Sequence, residues 1–455
     1  MPPTDKQPTV SIDVVLNVPR LGRYRRALFG ACALIMAIDG YDAYLLANLA
    51  PFIARNLGVP IGAMGAVFTA QAAGLAIGYY TVSLLADRFG RRKIIVACAA
   101  LFGLLTLATA QVTTIDALVL VRFLAFASFG GMLPNVVALL AEFLPDARRR
   151  QLLTWVFIAH GLGAALGGLL GPTFVAYLSW RAAFWTGGVV LLITTVLLYL
   201  RLPESCRYWL VRDPSDVRIG QTLAWVDPTF RAPPGSLFVT DEVAGRGLPL
   251  VQLFRDGRAS LTLLLWVASG AALSVTTTLT AWLPSLLHTV GTLDPGVASR
   301  VSSVSAIGAT IAPLMVTFFM RHTSQARALS MMFIAGAFAM MLFASVARVP
   351  GTAWVLSFCF GLLVIGGQAG LNSLIGSSYP TSMRATGIGW AGGIGRLAAT
   401  VGPGTVAAML SKHWNATAIY ASIASPLFLA ALVLYWAERR PTHPLTSPSA
   451  GLRCH

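Results

Sequence analysis

Asp39 and Asp42 stand three residues apart in the run Asp39-Gly40-Tyr41-Asp42, with about ten apolar residues before them and more after. On a helix that spacing puts both carboxylates on one face. A charged aspartate at mid-bilayer costs roughly 2.5–3.5 kcal/mol on insertion scales, so the pair requires a cavity, a partner or a proton. Burial and mutual repulsion both favour a proton on one of the two. Reversible proton binding is therefore the chemistry expected here, ahead of two helix-end aspartates at an interface. Two arginines are also embedded in apolar stretches: Arg122, about a third of the way into one, and Arg396, in Gly393-Ile394-Gly395-Arg396. Arginine keeps its charge and presents a planar fork that matches a carboxylate. Arg396, the deeper of the two, is flanked by glycines that permit close approach, and is the expected anion-binding residue. Arg122 is the expected charge partner of the aspartates; the plainer alternatives are a snorkelling side chain for Arg122 and an internal salt bridge for either arginine. Glu142 joins Asp39, Asp42 and Arg122 as a proton-coupling candidate, although its place at the end of an apolar stretch suits a gate or loop latch better than a ligand.

Other polar side chains at the same depth are Gln71, Asn135, Gln368 and Asn372. Tyr41, Trp282 and Trp390 offer rings to stack on, and the Thr-rich run ahead of Trp282 offers hydroxyls, of which Thr277 and Thr280 are expected near a ligand. Interhelical hydrogen bonding accounts for most such residues in a helix bundle, and each is weighed against that. His160, next to Gly161, is read as packing or hydrogen bonding. Gly163, Gly167 and Gly171 form a small-residue stripe suited to close helix contact.

These residues need elements to hold them. Of 455 residues, 56% are hydrophobic and 11% charged, where soluble domains run nearer a quarter charged. Twelve apolar segments of about 20 residues, the length a bilayer core needs, follow one another: 27–50, 62–86, 94–112, 115–141, 152–176, 182–200, 260–287, 297–319, 328–346, 351–377, 386–410 and 415–437. They are expected to be helices, because lipid offers backbone groups no other partner. Assigned alternately, the connections on the side of both termini hold 26 Lys and Arg and those opposite hold five. That bias places both termini in the cytoplasm. The expected organisation is a cytoplasmic segment 1–26, a six-helix bundle 27–200, a central cytoplasmic loop 201–259, a second bundle 260–437 and a cytoplasmic tail 438–455. The halves carry a faint repeat: Gly130-Gly131, Asn135, Pro145, Arg148 and Gly171-Pro172 recur in order as Gly366-Gly367, Asn372, Pro380, Arg384 and Gly402-Pro403. Transporters built on repeats bind their cargo at the midplane between them.

Several classes are excluded. The net charge of +16 lies in short arginine runs between apolar stretches, which is membrane topology and not a nucleic-acid face. Five scattered cysteines carry neither a disulfide framework nor a metal-ligand spacing. No GxxxxGK[ST], HExxH or GxSxG occurs, and the GxGxxG at 387–392 opens an apolar span with no strand before it. Neither an enzyme nor a cofactor or metal site is expected. No cleavable signal peptide is visible.

The loop Ser83-Leu84-Leu85-Ala86-Asp87-Arg88-Phe89-Gly90-Arg91-Arg92-Lys93 resembles the signature loop of the major facilitator superfamily, with serine for its opening glycine. That resemblance implies a twelve-helix, all-α polytopic membrane protein of two six-helix pseudo-repeats. It implies a gating role for Asp87, Arg88, Gly90, Arg91 and Arg92, with Asp87 paired to basic groups and a helix N-terminus. Asp39-Gly40-Tyr41-Asp42, Pro203-Glu204-Ser205, Trp282-Leu283-Pro284, Ile365-Gly366-Gly367-Gln368 with Asn372, and the run from Tyr379-Pro380 to Gly402-Pro403 are together similar to the aromatic acid/proton symporters of bacteria. The similarity spans about residues 20–437. It implies uptake of benzoate-like carboxylates with protons across the inner membrane, with the aspartates of the first span and the membrane arginines required; a monomer surrounded by membrane lipid is expected. Departures are the Thr-rich run before Trp282, which leaves the particular acid open, and a degenerate second signature loop over Arg321 to Arg327. A proton-driven exporter of drugs or organic acids is the alternative.

Overall fold

A computed structural model describes residues 8–240, 249–255, 257–319, 323–346, 350–379 and 383–439. Pro380, Arg321 and most of the expected tail lie outside the described residues. The long helices, in chain order, are α1 (Arg23–Leu57), α2 (Met64–Tyr80), α3 (Arg91–Thr109), α4 (Ile115–Phe143), α5 (Asp146–Tyr177), α6 (Trp180–Arg201) and α7 (Ala259–Thr289). They continue as α8 (Pro295–Phe319), α9 (Gln325–Val346), α10 (Pro350–Phe360), α11 (Gly366–Ser377), α12 (Arg384–Ala399), α13 (Val401–Ser411) and α14 (Ala416–Arg439). Ten helical runs among the described residues are long and apolar enough to cross a membrane. The expected spans 297–319 and 386–410 fall on α8 and on α12 with α13, which are not among those ten.

Two interruptions were not foreseen. Between α10 and α11 the chain passes through a π-helical turn, Gly361–Ile365, a geometry that recurs at functional sites. Between α12 and α13 it breaks at Thr400, three residues before Pro403. Proline lacks the N–H that would bond back one turn, and its ring crowds the carbonyl four residues before it.

Close contacts between backbones set the helix pairs. A Cβ added to Gly40 would lie 2.0 Å from the His160 carbonyl oxygen, so α1 and α5 cross in near contact there. Gly163 and Gly167 continue the seam against the Ala37 and Tyr41 carbonyls, as the small-residue stripe implies. The two halves meet where Gly65 of α2 abuts Ala407 of α13 and where Ser299 of α8 donates to the Gly168 carbonyl of α5 at 2.8 Å. They meet again where Ser302 Oγ donates to Asn48 Oδ1 at 2.7 Å. Large apolar side chains such as Leu162, Ile193, Val196, Leu342 and Leu432 remain exposed on the outside of the bundle. Lipid is the solvent that makes this stable.

A small cap closes one end of the first half. Strand β1 (Thr9–Ser11) pairs in parallel with β2 (Leu237–Val239), Thr9 opposite Leu237. Asp13 accepts from Thr240 Oγ1 at 2.8 Å and lies 3.6 Å from Arg207. The helix Val217–Val226 buries Ile219, Leu223 and Val226 beneath it. Residues expected as a separate segment and a loop thus fold against each other.

Candidate functional site

The charges expected to couple protons sit on α1 and α4. Asp42 and Arg122 are both buried, Arg122 completely. The guanidinium grips the carboxylate with both fork nitrogens: Nη1 is 3.1 Å from Oδ1, and Nη2 donates to Oδ2. The rings of Phe126 and Phe184 lie 5.0 and 5.6 Å from its centre. Arg122 is therefore an internal ion-pair partner and does not snorkel. It satisfies both oxygens of one aspartate, not one oxygen of each.

Asp39 turns the other way, toward α5. Its Oδ2 lies 3.1 Å from His160 Nδ1, an ion-pair distance without the alignment of a hydrogen bond. The near contact at Gly40 is what brings that turn of α5 so close. Asp39 Oδ1 is buried and has no hydrogen-bond partner among the described residues. The two aspartates share a helix face but occupy different electrostatic environments: one locked to a permanent cation, the other facing an imidazole, a group able to take up or give up a proton.

Arg396 sits on α12 across from α2. Its guanidinium lies 4.3 Å from the centre of the Tyr79 ring and donates from Nη1 to the Gly392 carbonyl of its own helix at 3.0 Å. No acid lies within ion-pair distance of it among the described residues. An inward-turned cation without an anion is unfavourable unless a ligand supplies one. Aromatic walls surround this position. Trp390 stacks on Trp266 at 6.2 Å, and Tyr80 lies 6.1 Å from Trp390. Tyr80 packs so close to α12 that a Cβ on Gly393 would sit 1.9 Å from its hydroxyl. The Tyr80 hydroxyl and Trp266 Nε1 are buried donors without partners among the described residues. A guanidinium without an acid partner, a chain of aromatic rings and two unpaired donors thus lie among α2, α7 and α12, where the halves meet.

Several expected site residues are placed elsewhere. Trp282 is fully buried, with Nε1 donating to the Pro403 carbonyl at 3.0 Å and its ring packed edge-on against Phe68. It plugs the seam and offers no face to a ligand. Tyr41 donates to the Ala183 carbonyl at 3.2 Å and so belongs to the α1–α6 contact. Asn135 donates to the Gly131 carbonyl at 2.8 Å within α4. Gln368 reaches Asn372 at 3.5 Å, one turn along α11, and its buried Oε1 has no partner among the described residues. Gln71 is buried on α2, Thr277 and Thr280 are half-buried on α7, and Trp390, of the expected rings, joins the aromatic chain that reaches Arg396 through Tyr80 and Tyr79.

Glu142 lies at the opposite end of α4 from Arg122, away from Asp39 and Asp42. It accepts from Ser205 Oγ at 2.7 Å and from the Arg207 backbone N–H at 3.1 Å, and it pairs with Arg91 at 3.1 Å. Glu204, unassigned from sequence, accepts from the backbone N–H of Arg92, capping α3 at 3.1 Å. Gly90, with φ of +100°, makes room for it: a Cβ there would lie 2.3 Å from Glu204 Oε2. The helix-terminus role expected of Asp87 is therefore filled by Glu204, while Asp87 itself is exposed. Arg88 contributes its carbonyl, which accepts from Arg212 at 2.5 Å, and Arg92 donates to the Tyr199 carbonyl at 2.7 Å. His160 is read from sequence only as packing or hydrogen bonding, and Tyr79, Tyr80 and Trp266 carry no expectation. A histidine inside an apolar span was the available signal for the first.

Sequence comparison supplies the context. A profile of the Major Facilitator Superfamily matches residues 32–403. The 4-hydroxybenzoate transporter PcaK of Pseudomonas aeruginosa is 30% identical over 424 residues, covering 92% of this chain and 94% of its own length. The gallate transporter of Pseudomonas putida is 30% identical over 451 residues, covering 98% of this chain and 99% of its own. The 3-(3-hydroxy-phenyl)propionate transporter of Escherichia coli is 31% identical over 406 residues, covering 89% and 92%. Among solved structures, a D-xylose–proton symporter superposes with a TM-score of 0.70 at 17% identity, over 90% of this chain and 97% of that one. The nucleoside transporter NupG gives 0.69 at 14% identity, over 92% and 100%. At such identities the structural likeness speaks for the fold.

Proposed function

The chain belongs to the major facilitator superfamily, whose members here are transporters and not enzymes, and we propose that it takes up aromatic carboxylates together with protons by alternating access. The observation that carries this is Arg396, a cation without an acid partner among the described residues, set among Tyr79, Tyr80, Trp266 and Trp390 where the two halves meet. The substrate carboxylate takes the guanidinium fork, and its ring lies against the aromatic side chains. Relatives that carry 4-hydroxybenzoate, gallate and a hydroxyphenylpropionate support the same class of cargo.

Asp39 is the proton carrier. Asp42 has both oxygens engaged by a bidentate arginine, a pairing that orients Arg122 and braces α1 against α4. A proton on Asp39 removes the one charge of this cluster that no permanent cation balances. Loading of Asp39 and binding of the anion at Arg396 each favour the same compact, charge-compensated state, and that shared preference couples the two fluxes. Rocking of one half against the other about the seam then exposes the site to either side. Glu142 and Glu204 hold the arginine-rich loop at one end of the first half, where they stabilise one of the two arrangements. Twelve spans, cytoplasmic termini, a bacterial inner membrane and a monomeric carrier complete the proposal, with the arginine bias supporting the orientation.

Competition in proteoliposomes tests the cargo. Benzoate, 4-hydroxybenzoate and gallate are expected to compete with labelled 4-hydroxybenzoate, while their neutral methyl esters do not. Arg396→Ala is expected to abolish uptake. Esters competing as well as acids, or full activity in Arg396→Ala, would remove the assigned role of the guanidinium.

A further inference from the structure

We infer that His160 is the proton port of Asp39, the side chain through which that carboxyl exchanges its proton with water in the seam between the halves. This role rests on the proton-coupled transport proposed above and adds a group to it. Asp39 cannot reach water by itself: its side chain is 6% exposed, whereas that of His160, 3.1 Å away, is 36% exposed. The histidine also sits at the right place on α5. Its neighbour Gly161 meets the second half so closely that a Cβ there would lie 2.3 Å from Thr310 Oγ1 of α8. The turn of α5 that carries His160 is thus one that must slide or part when the halves rock.

The surroundings leave few competing groups. From α1, His160 faces Asp39 and the Met36 carbonyl. Asp42, also on α1, and Arg122 of α4 act on Asp39 from the other side. From α8, the groups nearest this turn are Ala306 and Thr310, neither of which titrates. With both Asp42 oxygens engaged by Arg122, Asp39 is the carboxylate free to move a proton, and His160 is the base next to it.

The step balances without any co-reactant. On unloading, the Asp39 Oδ2–H bond breaks and the proton forms an N–H bond at His160 Nδ1, giving a carboxylate–imidazolium pair. A ring N–H proton then passes to water and leaves the imidazole neutral. Loading is the reverse sequence. Imidazole suits this because its charge changes near neutral pH and it has two nitrogens to receive and release on opposite sides.

The test uses the full chain in proteoliposomes with 4-hydroxybenzoate as probe. Counterflow exchange lets the loaded carrier return still protonated, whereas gradient-driven net uptake requires Asp39 to discharge on every cycle. In His160→Gln, counterflow is expected within about two-fold of wild type while net uptake falls by about a hundred-fold, the lower range for a lost proton-transfer group. The pH profile of net uptake should flatten in parallel. His160→Asn, which keeps a polar atom near the Nδ1 position, should show the same split and serves if the glutamine variant fails to fold. In an Asp39→Asn background, His160→Gln should change neither rate further. Equal loss of counterflow and net uptake in both variants would make His160 a packing residue and overturn the port, as would full net uptake in either. Wild type that exchanges but fails to accumulate under an inward proton gradient would instead overturn proton coupling itself.

Discussion

Breaking the Asp42–Arg122 pair is the sharpest structural perturbation available. Both side chains are buried, Arg122 completely, and the fork is satisfied on two nitrogens. Arg122→Met keeps most of the side-chain volume against Phe126 and Phe184 but strands the Asp42 carboxylate. Stranding a buried charge in this way costs about 3–5 kcal/mol. Asp42→Asn strands the guanidinium and should cost a similar ~3–5 kcal/mol. If the two effects were independent, the double variant would lose roughly 6–10 kcal/mol, since distant sites add. The pair geometry predicts otherwise: with both charges gone, the double variant should lose only about 1–3 kcal/mol, because replacing a buried ion pair by uncharged groups is often close to neutral. The assay is unfolding of purified protein in mild detergent, titrated with a denaturing detergent and followed by tryptophan fluorescence. A double variant as unstable as the sum of the singles, within about 0.5 kcal/mol, would refute the pairing.

Gly40→Ala should force α1 from α5, because its Cβ would lie 2.0 Å from the His160 carbonyl; about 1–3 kcal/mol of destabilisation and loss of uptake are expected in the same unfolding and transport assays. Arg396→Lys keeps the charge but loses the planar fork, so the KM for 4-hydroxybenzoate should rise by about ten-fold or more while the protein folds normally, corresponding to roughly 1.4 kcal/mol of lost carboxylate recognition. Glu204→Gln should loosen the cap on α3 at Arg92 while leaving the midplane site intact. Faster proteolysis of the loop around Gly90, with substrate affinity unchanged, is the signature to look for.

Legibility from sequence followed cost. Asp39, Asp42, Arg122 and Arg396 stood out because an ionisable group in lipid is expensive and so must do something. The helical spans were legible because hydrocarbon length and backbone satisfaction leave few alternatives. Partners were harder. That Asp42 takes all of Arg122 and Asp39 takes His160 depends on how α1 sits between α4 and α5, which Gly40, Gly163 and Gly167 fix through contacts invisible in a linear chain. Trp282 was expected to face a ligand because a tryptophan in a span looks the same whether it lines a cavity or fills a seam; in the structure it is buried and bonds to Pro403. Tyr79, Tyr80 and Trp266 looked like ordinary aromatic residues of apolar spans, and their meeting with Arg396 and Trp390 required both halves folded together. The β1–β2 pairing joins segments more than 200 residues apart, and neither three-residue strand carries a pattern of its own.

The central claim is that an inward proton gradient drives an aromatic carboxylate through this chain with Asp39 as carrier and Arg396 as anion site. Accumulation of labelled 4-hydroxybenzoate in proteoliposomes, with the gradient imposed and then collapsed by an uncoupler, tests it most directly. The account predicts concentration inside above that outside, abolished by the uncoupler, by Asp39→Asn and by Arg396→Ala. Uncoupler-insensitive entry that stops at equal concentrations, or accumulation that survives Asp39→Asn, would contradict it.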